Sequence, residues 1–130
     1  MPFSINWYPK GTVLEFKGAL DLEQIRLLDL ELYSDSRYDD QIFSIWDMLE
    51  VTALRVPMDK AKLLAAHDKA GNLHAPRIQI AFIADQPYLV SFIREYIAYC
   101  RKMAFSWRFH IVTEYEQALE WLGIESPEAA

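Results

Sequence analysis

Asp47 and Asp85 each close an apolar run, "IFSIWD" in the first case and "IQIAFIAD" in the second. Ligands of open α/β sheets lie beyond the carboxyl ends of strands, so two carboxylates there could share acid–base work or hold Mg²⁺. No nucleophile and no third oxygen ligand stands beside them, and turn residues capping the following backbone are the reading the sequence favours. Arg55, Lys60 and Lys62 surround an expected helix start, a natural place for an anion. Asp59 offsets part of that charge, and no glycine-rich loop brings backbone amides toward a phosphate, so these cations read as a solvated face. His67, His74 and His110 lack the spacing of a metal site, and Cys100 has no second cysteine to join it. Only Arg101 and Lys102 could lower the Cys100 pKa, and its helix is apolar enough to bury it. The expectation is a non-enzymatic protein with no catalytic site, no metal and no cofactor.

The elements holding these residues follow from local patterns. "FSINWY" and "TVLEFKG" are β-rich runs split by Pro9, Lys10 and Gly11, which reads as a hairpin. Strands are expected near residues 3–8, 12–17, 42–47, 77–84 and 105–111, with the first antiparallel to the rest. "RIQIAFIA" is the most continuous apolar run and belongs inside a sheet, buried on both faces. "FSWRFHI" alternates without a fault, which places Ser106, Arg108 and His110 in water on a strand near the sheet edge. Four helices are expected. Asp21 with Gln24 caps the first, whose inward face is Leu22, Ile25, Leu28 and Leu32. Pro57 suits the first position of the second, which closes at Gly71. Asp85, Gln86 and Pro87 open the third, which reaches about Met103, and Thr113 with Glu116 caps the fourth, which stops at Gly123. The stretch "DMLEVTALRVPMDK", Asp47 to Lys60, reads as the loop between the third strand and the second helix. The order β-β-α-β-α-β-α-β-α implies a mostly parallel five-stranded α/β sheet in one domain over residues 1–125, with 126–130 a frayed tail.

Composition narrows the partners. Thirteen basic and nineteen acidic residues leave a net charge of −6, which opposes both nucleic-acid binding and polybasic attachment to lipid. The first residues lack the basic flank and apolar run of a signal peptide, and no stretch approaches the roughly 18 unbroken apolar residues of a membrane span. A cytoplasmic location without membrane insertion is the expectation.

The helix "PYLVSFIREYIAYCRKM" carries more apolar surface than covering a sheet demands. Leu89, Ile93, Tyr96, Ile97 and Cys100 form one stripe, and Tyr88, Phe92, Tyr99 and Met103 form a second beside it. The surplus leaves three readings open: a wide core contact, a symmetric homodimer interface, or the wall of an apolar pocket. Tyr88, Phe92, Tyr96, Tyr99 and Met103 are its candidate residues.

The element order and three phrases carry a family resemblance: "IWDMLEV", "RIQIAFIAD" and "RFHIVTEYEQALEWLG". From about Gly11 to Gly123 the chain resembles the SpoIIAA-like branch of the STAS superfamily, whose founders are anti-sigma-factor antagonists. The resemblance implies a SpoIIAA/STAS-like α/β fold and a regulatory, protein-binding role. In signalling members an Asp-Ser-Ser-Gly stretch opens the second helix, and a partner kinase phosphorylates its serine to break binding. Anchored on Asp47 and Val51, that stretch falls here on Arg55, Val56, Pro57 and Met58, and every hydroxyl is gone. The expected protein is therefore an interaction module without serine-phosphorylation switching. Its partner or ligand rim is Asp47, Thr52, Arg55, Met58 and Asp85, with Thr52 the loop's one hydroxyl. The alternative is a carrier or sensor of a small apolar, lipid-like ligand, because the SpoIIAA-like fold is similar to that of CRAL-TRIO lipid-binding domains.

Overall fold

The computed structural model describes residues 2–130, among which the chain forms five strands and four α-helices in the order β-β-α-β-α-β-α-β-α. Strands β1 (Phe3–Trp7), β2 (Gly11–Asp21), β3 (Phe43–Arg55), β4 (Gln79–Ile83) and β5 (Arg108–Val112) lie side by side in that order. β1 is antiparallel to β2 across a tight hairpin, and the other neighbouring pairs are parallel. A chain that steps always in one direction through right-handed crossovers must place every crossover helix on the same face. So it is here: α1 (Leu22–Ser34), α2 (Ala61–His74) and α3 (Pro87–Lys102) cover one face, and α4 (Tyr115–Leu122), which follows the last strand, covers the other.

Each face has its own core. Leu14, Phe16, Ile80, Phe82 and Phe109 of the sheet pack with Leu28 and Leu32 of α1, Leu64 of α2, and Leu89, Ile93 and Ile97 of α3. On the opposite face Val13, Ile45, Ala81, Ile83 and Val112 meet Ala118 of α4. β4 feeds both cores alternately, which is why its sequence is apolar from Ile80 onward. β5 is an edge strand, with Phe109 buried and Arg108 and His110 exposed.

Four local expectations are corrected. The stretch from Asp47 is not a loop: β3 continues to Arg55 beside a matching extension of β2, from Gly18 to Asp21. Two register shifts there each give β3 one extra residue, at Glu50 against Lys17 and at Ala53 against Ala19, and Gly18 takes φ +77° at the second. Such bulges break the two-residue alternation by which a strand is recognised. Pro57 precedes a 3₁₀ turn, Met58–Lys60, and α2 begins only at Ala61. That helix runs past Gly71 to His74, and Gly71 serves close packing instead: a β-carbon there would lie 2.6 Å from the Tyr33 ring. The α4 capping box is formed by Glu114 and Gln117, one residue beyond the expected pair. After α4 comes a 3₁₀ turn, Pro127–Ala129, capped by Ser126, with Pro127 buried.

Candidate functional site

The rim residues do not share one place. Asp47 lies within β3 beside Ile83, the last residue of β4, and its carboxylate accepts only a long 3.4 Å bond from the Leu49 amide. Its side of the sheet is that of α4, where it is one of the charges that follow burial in raising the Tyr115 pKa. Arg55 stands eight residues further along, at the end of β3, paired in register with the α1 cap Asp21. Thr52 is the residue left over at the second bulge and is exposed in the strand. Met58 is half-buried against the main core, and Asp85 is exposed in the turn after β4. The structure therefore groups Arg55 with Met58 at the entrance to α2 and leaves Asp47 apart. One bond fixes that entrance: the Tyr88 hydroxyl at the start of α3 donates to the Val56 carbonyl at 2.6 Å. Pro57 holds its own backbone and restricts Val56 to an extended shape. The helical start that follows has no side-chain cap, while Arg55 and Lys62 are exposed around it.

The surplus apolar face of α3 is mostly spoken for within the chain. Phe92 and Tyr96 are buried, the latter edge-on to both Phe82 and Phe109, while Tyr99 and Met103 are half-buried and Tyr88 is partly exposed. α3 lies beside α2 as well as on the sheet, so it needs two buried stripes where a lone covering helix needs one.

The most perturbed chemistry in the molecule lies under these helices, at residues the sequence reading passed over. Asp29 of α1 and Asp68 of α2 are 6% and 5% exposed. Asp68 accepts from the Tyr33 hydroxyl at 2.8 Å and from the Tyr96 hydroxyl at 2.5 Å. Neither oxygen of Asp29 receives a hydrogen bond, and its polar neighbour is the Asp68 carboxylate. Two buried carboxylates in contact cannot both be charged without a counterion, and a proton held on Asp29 and donated to Asp68 resolves the arrangement. Burial first, then the Asp68 charge and the bond to it, raise the Asp29 pKa well above the carboxylate range. Burial, then Asp68, likewise raises Tyr33, Tyr38 and Tyr96, and burial pushes the Cys100 thiol up to about 12. The cluster retains protons, and Asp68 commits its two oxygens to the Tyr33 and Tyr96 hydroxyls. The legible signal was an acid inside an apolar helical stripe, twice: Asp29 stands four residues after Ile25, and Asp68 four after Leu64.

Two cavities touch Asp68. One of about 50 Å³ is lined by apolar side chains that include Met48, Leu54, Leu64, Leu89 and Phe92. The other, of about 20 Å³, is bounded by Thr12, Gln41, Ser44 and Tyr38, and the Gln41 side-chain oxygen is without a donor. The larger cavity lies between α3 and the sheet, where an apolar pocket was expected, yet it falls well below the roughly 300–1,000 Å³ of small-molecule sites.

Among solved structures, the unphosphorylated anti-sigma factor antagonist SpoIIAA matches with a TM-score of 0.58 at 12% identity, over 94% of this chain and 99% of that one. The phosphorylated form of SpoIIAA, a Bacillus cell fate determinant, gives 0.57 at 9% identity over 92% and 98%. The chain has a SpoIIAA-like fold. An uncharacterized protein of the DUF3478 family from Shewanella loihica PV-4, also of SpoIIAA-like fold, gives 0.51 at 20% identity over 92% and 91%. No protein-family model matches the sequence, and no curated protein does. At such identities the likeness concerns architecture: the five-stranded sheet with its antiparallel first strand and its four helices. Among the described residues, no helix is long and apolar enough to cross a membrane.

Proposed function

We propose that this chain is a non-enzymatic interaction module of the SpoIIAA-like type whose partner surface is the entrance to α2, and that serine phosphorylation does not switch it. The observation that carries the reading is the fastening of this entrance by Tyr88 on Val56, which presents Arg55 and Met58 in a fixed frame. Val56 to Lys60 contains no hydroxyl, so a kinase has nothing there to modify. An acidic group on the partner suits Arg55 and Lys62 beside an uncapped helix start. Asp85 edges this surface, and Thr52 and Asp47 lie outside it. The SpoIIAA structures belong to an anti-sigma factor antagonist, and the shared fold is consistent with a regulatory, protein-binding role here.

The test combines capture and phosphate mapping. Wild-type protein and Arg55→Ala are used to capture partners from the source cells' extract, and both are incubated with ATP and that extract before mass spectrometry. A partner retained by wild type and reduced tenfold or more by Arg55→Ala, with an unmodified Val56–Lys60 stretch, supports the reading. Stoichiometric phosphate on Thr52 coupled to loss of the partner overturns it. A second reading, a carrier of a small apolar molecule, requires the apolar 50 Å³ cavity between α3 and the sheet to widen several-fold around its ligand. Native mass spectrometry of the purified protein decides that reading by the presence or absence of retained ligand mass.

A further inference from the structure

The largest exposed hydrophobic side chains are not on α3. Leu30 of α1 is 66% exposed and Leu73 of α2 is 71% exposed, and Leu27 and Leu63 add to them. Between the two leucines of α2, Ala66 and Ala70 are also exposed. Leu63, Ala66, Ala70 and Leu73 recur at helical spacing on the side of α2 opposite its buried residues Leu64, Ala65 and Asp68. Single exposed leucines are ordinary, but six apolar residues over two neighbouring helices make a patch of the kind that marks an interaction site.

The charges around the patch differ between the helices. α1 carries Glu23 and Glu31, and α2 carries Lys62 and Lys69. α1 and α2 run parallel, because each is a crossover between parallel strands of one sheet. They lie abreast, because Arg26 reaches His67 at 2.8 Å and Tyr33 reaches Asp68 at 2.8 Å, so that the middle of α1 stands beside the middle of α2. Glu31, about 140° around α1 from Arg26, lies on the flank away from α2. Lys69 lies on the flank of α2 away from α1, where it reaches the Ala104 carbonyl beyond α3, and Lys62 shares that flank seven residues earlier.

We propose that this face binds a second copy of the chain about a two-fold axis running along the α1–α2 groove, so that α1 of each copy lies on α2 of the other. A rotation about that axis preserves levels along the helices. It brings Glu23 of one copy to Lys62 of its partner, brings Glu31 toward Lys69, and seats Leu27 and Leu30 over Ala66, Ala70 and Leu73. The other face-to-face two-fold, across the helices, would set α1 on α1 and α2 on α2, acid against acid and base against base. The patch thus holds its own complement, as an isologous contact requires. Arg26 falls nearest the axis as a like-charge contact. There the Arg26 guanidinium is already engaged with the His67 ring of its own copy at 2.8 Å. Two helices of 13 and 14 residues lying side by side present a face roughly 20 Å square, about 400 Å² per copy, which suits a weak, concentration-dependent dimer.

The test is oligomeric state by analytical ultracentrifugation across about 1–200 µM protein, with circular dichroism as the folding control. Wild type is expected to dimerise, and Leu30→Glu and Leu73→Glu to weaken association at least tenfold without unfolding, since both side chains are already in water. Glu23→Lys and Lys62→Glu should each weaken the dimer at least threefold, and the two together should restore it. The charge pair keeps the test decisive if a leucine variant fails to fold. A monomer throughout the range, a dimer indifferent to both leucines, or no rescue in the Glu23→Lys/Lys62→Glu double variant overturns the proposal. A monomer would also assign the patch to a different partner protein.

Discussion

The entrance to α2 and the acid pair beneath the helices differ in almost every respect that decides what a site can do. The entrance is exposed and cationic, and a hydrogen bond outside its own segment holds it in place. The acid pair is buried, proton-rich and ringed by tyrosines, and the cavities that reach it have room for little more than a few water molecules. Perturbed titration often marks active sites, but structural networks perturb it too. Here perturbation and access occupy different places. The acid pair reads as a structural lock joining α1, α2 and α3, and the entrance is the surface proposed to meet a partner.

The largest expected effect follows from removing the lock's acceptor. Asp68→Ala strands two tyrosine hydroxyls and the Asp29 carboxyl in a dry interior, at about 1–3 kcal/mol for each unpaired group. A total loss of about 4 kcal/mol in urea unfolding is expected, against less than about 1 kcal/mol for Asp47→Ala, whose carboxylate has one long bond. Equal losses at the two positions would erase the distinction between lock and surface.

The proton on Asp29 makes a second, smaller difference. Asp29 binds it more tightly folded than unfolded, so its contribution is complete below the ordinary carboxyl value of 3.8 and is lost as pH rises toward the raised one. Asp35 has the opposite sign. Hydrogen bonds from Arg37 hold it at about 2, so its contribution is present above the ordinary value and lost as pH falls through about 2, and solvent screening at this surface turn keeps it slight. Asp29→Asn removes the titrating proton and retains a donor for Asp68. Wild type should therefore lose stability relative to this variant as pH rises above the ordinary carboxyl value of 3.8, measured by urea midpoints across that rise. Parallel curves would mean that Asp29 is charged in the native state.

Much of the architecture was legible because it follows from periodicity. The alternation of "FSWRFHI" gave an edge strand, although the strand itself begins only at Arg108, the apolar "IAFIA" gave an inner one, and Asp21 with Gln24 a capping box. What escaped depended on contacts distant in sequence. β3 reads as a strand beyond Asp47 only once β2 is seen to extend beside it, since its bulges place Leu49 and Glu50 consecutively in water. The second stripe of α3 read as surplus because nothing local announces that α2 will lie alongside. Asp29 and Asp68 belong to different helices, and the crossover that unites them also hides them from any motif of short spacing.

The smallest effect belongs to the entrance itself. Tyr88→Phe removes one hydroxyl and leaves the ring in place, so the Val56 carbonyl loses its donor in a residue that is otherwise buried. A loss of about 1 kcal/mol is expected from a single neutral hydrogen bond. The more telling readout is local. The Lys60 amide closes the 3₁₀ turn on the Pro57 carbonyl, and its hydrogen exchange should quicken several-fold while the core strands stay protected. If Arg55 acts from a rigid frame, Tyr88→Phe should weaken partner capture measurably, though less than Arg55→Ala does. Unchanged exchange at Lys60 would mean that Pro57 alone stiffens the entrance. Unchanged capture with quickened exchange would mean that the partner reads the charge of Arg55 and not the frame in which it is held.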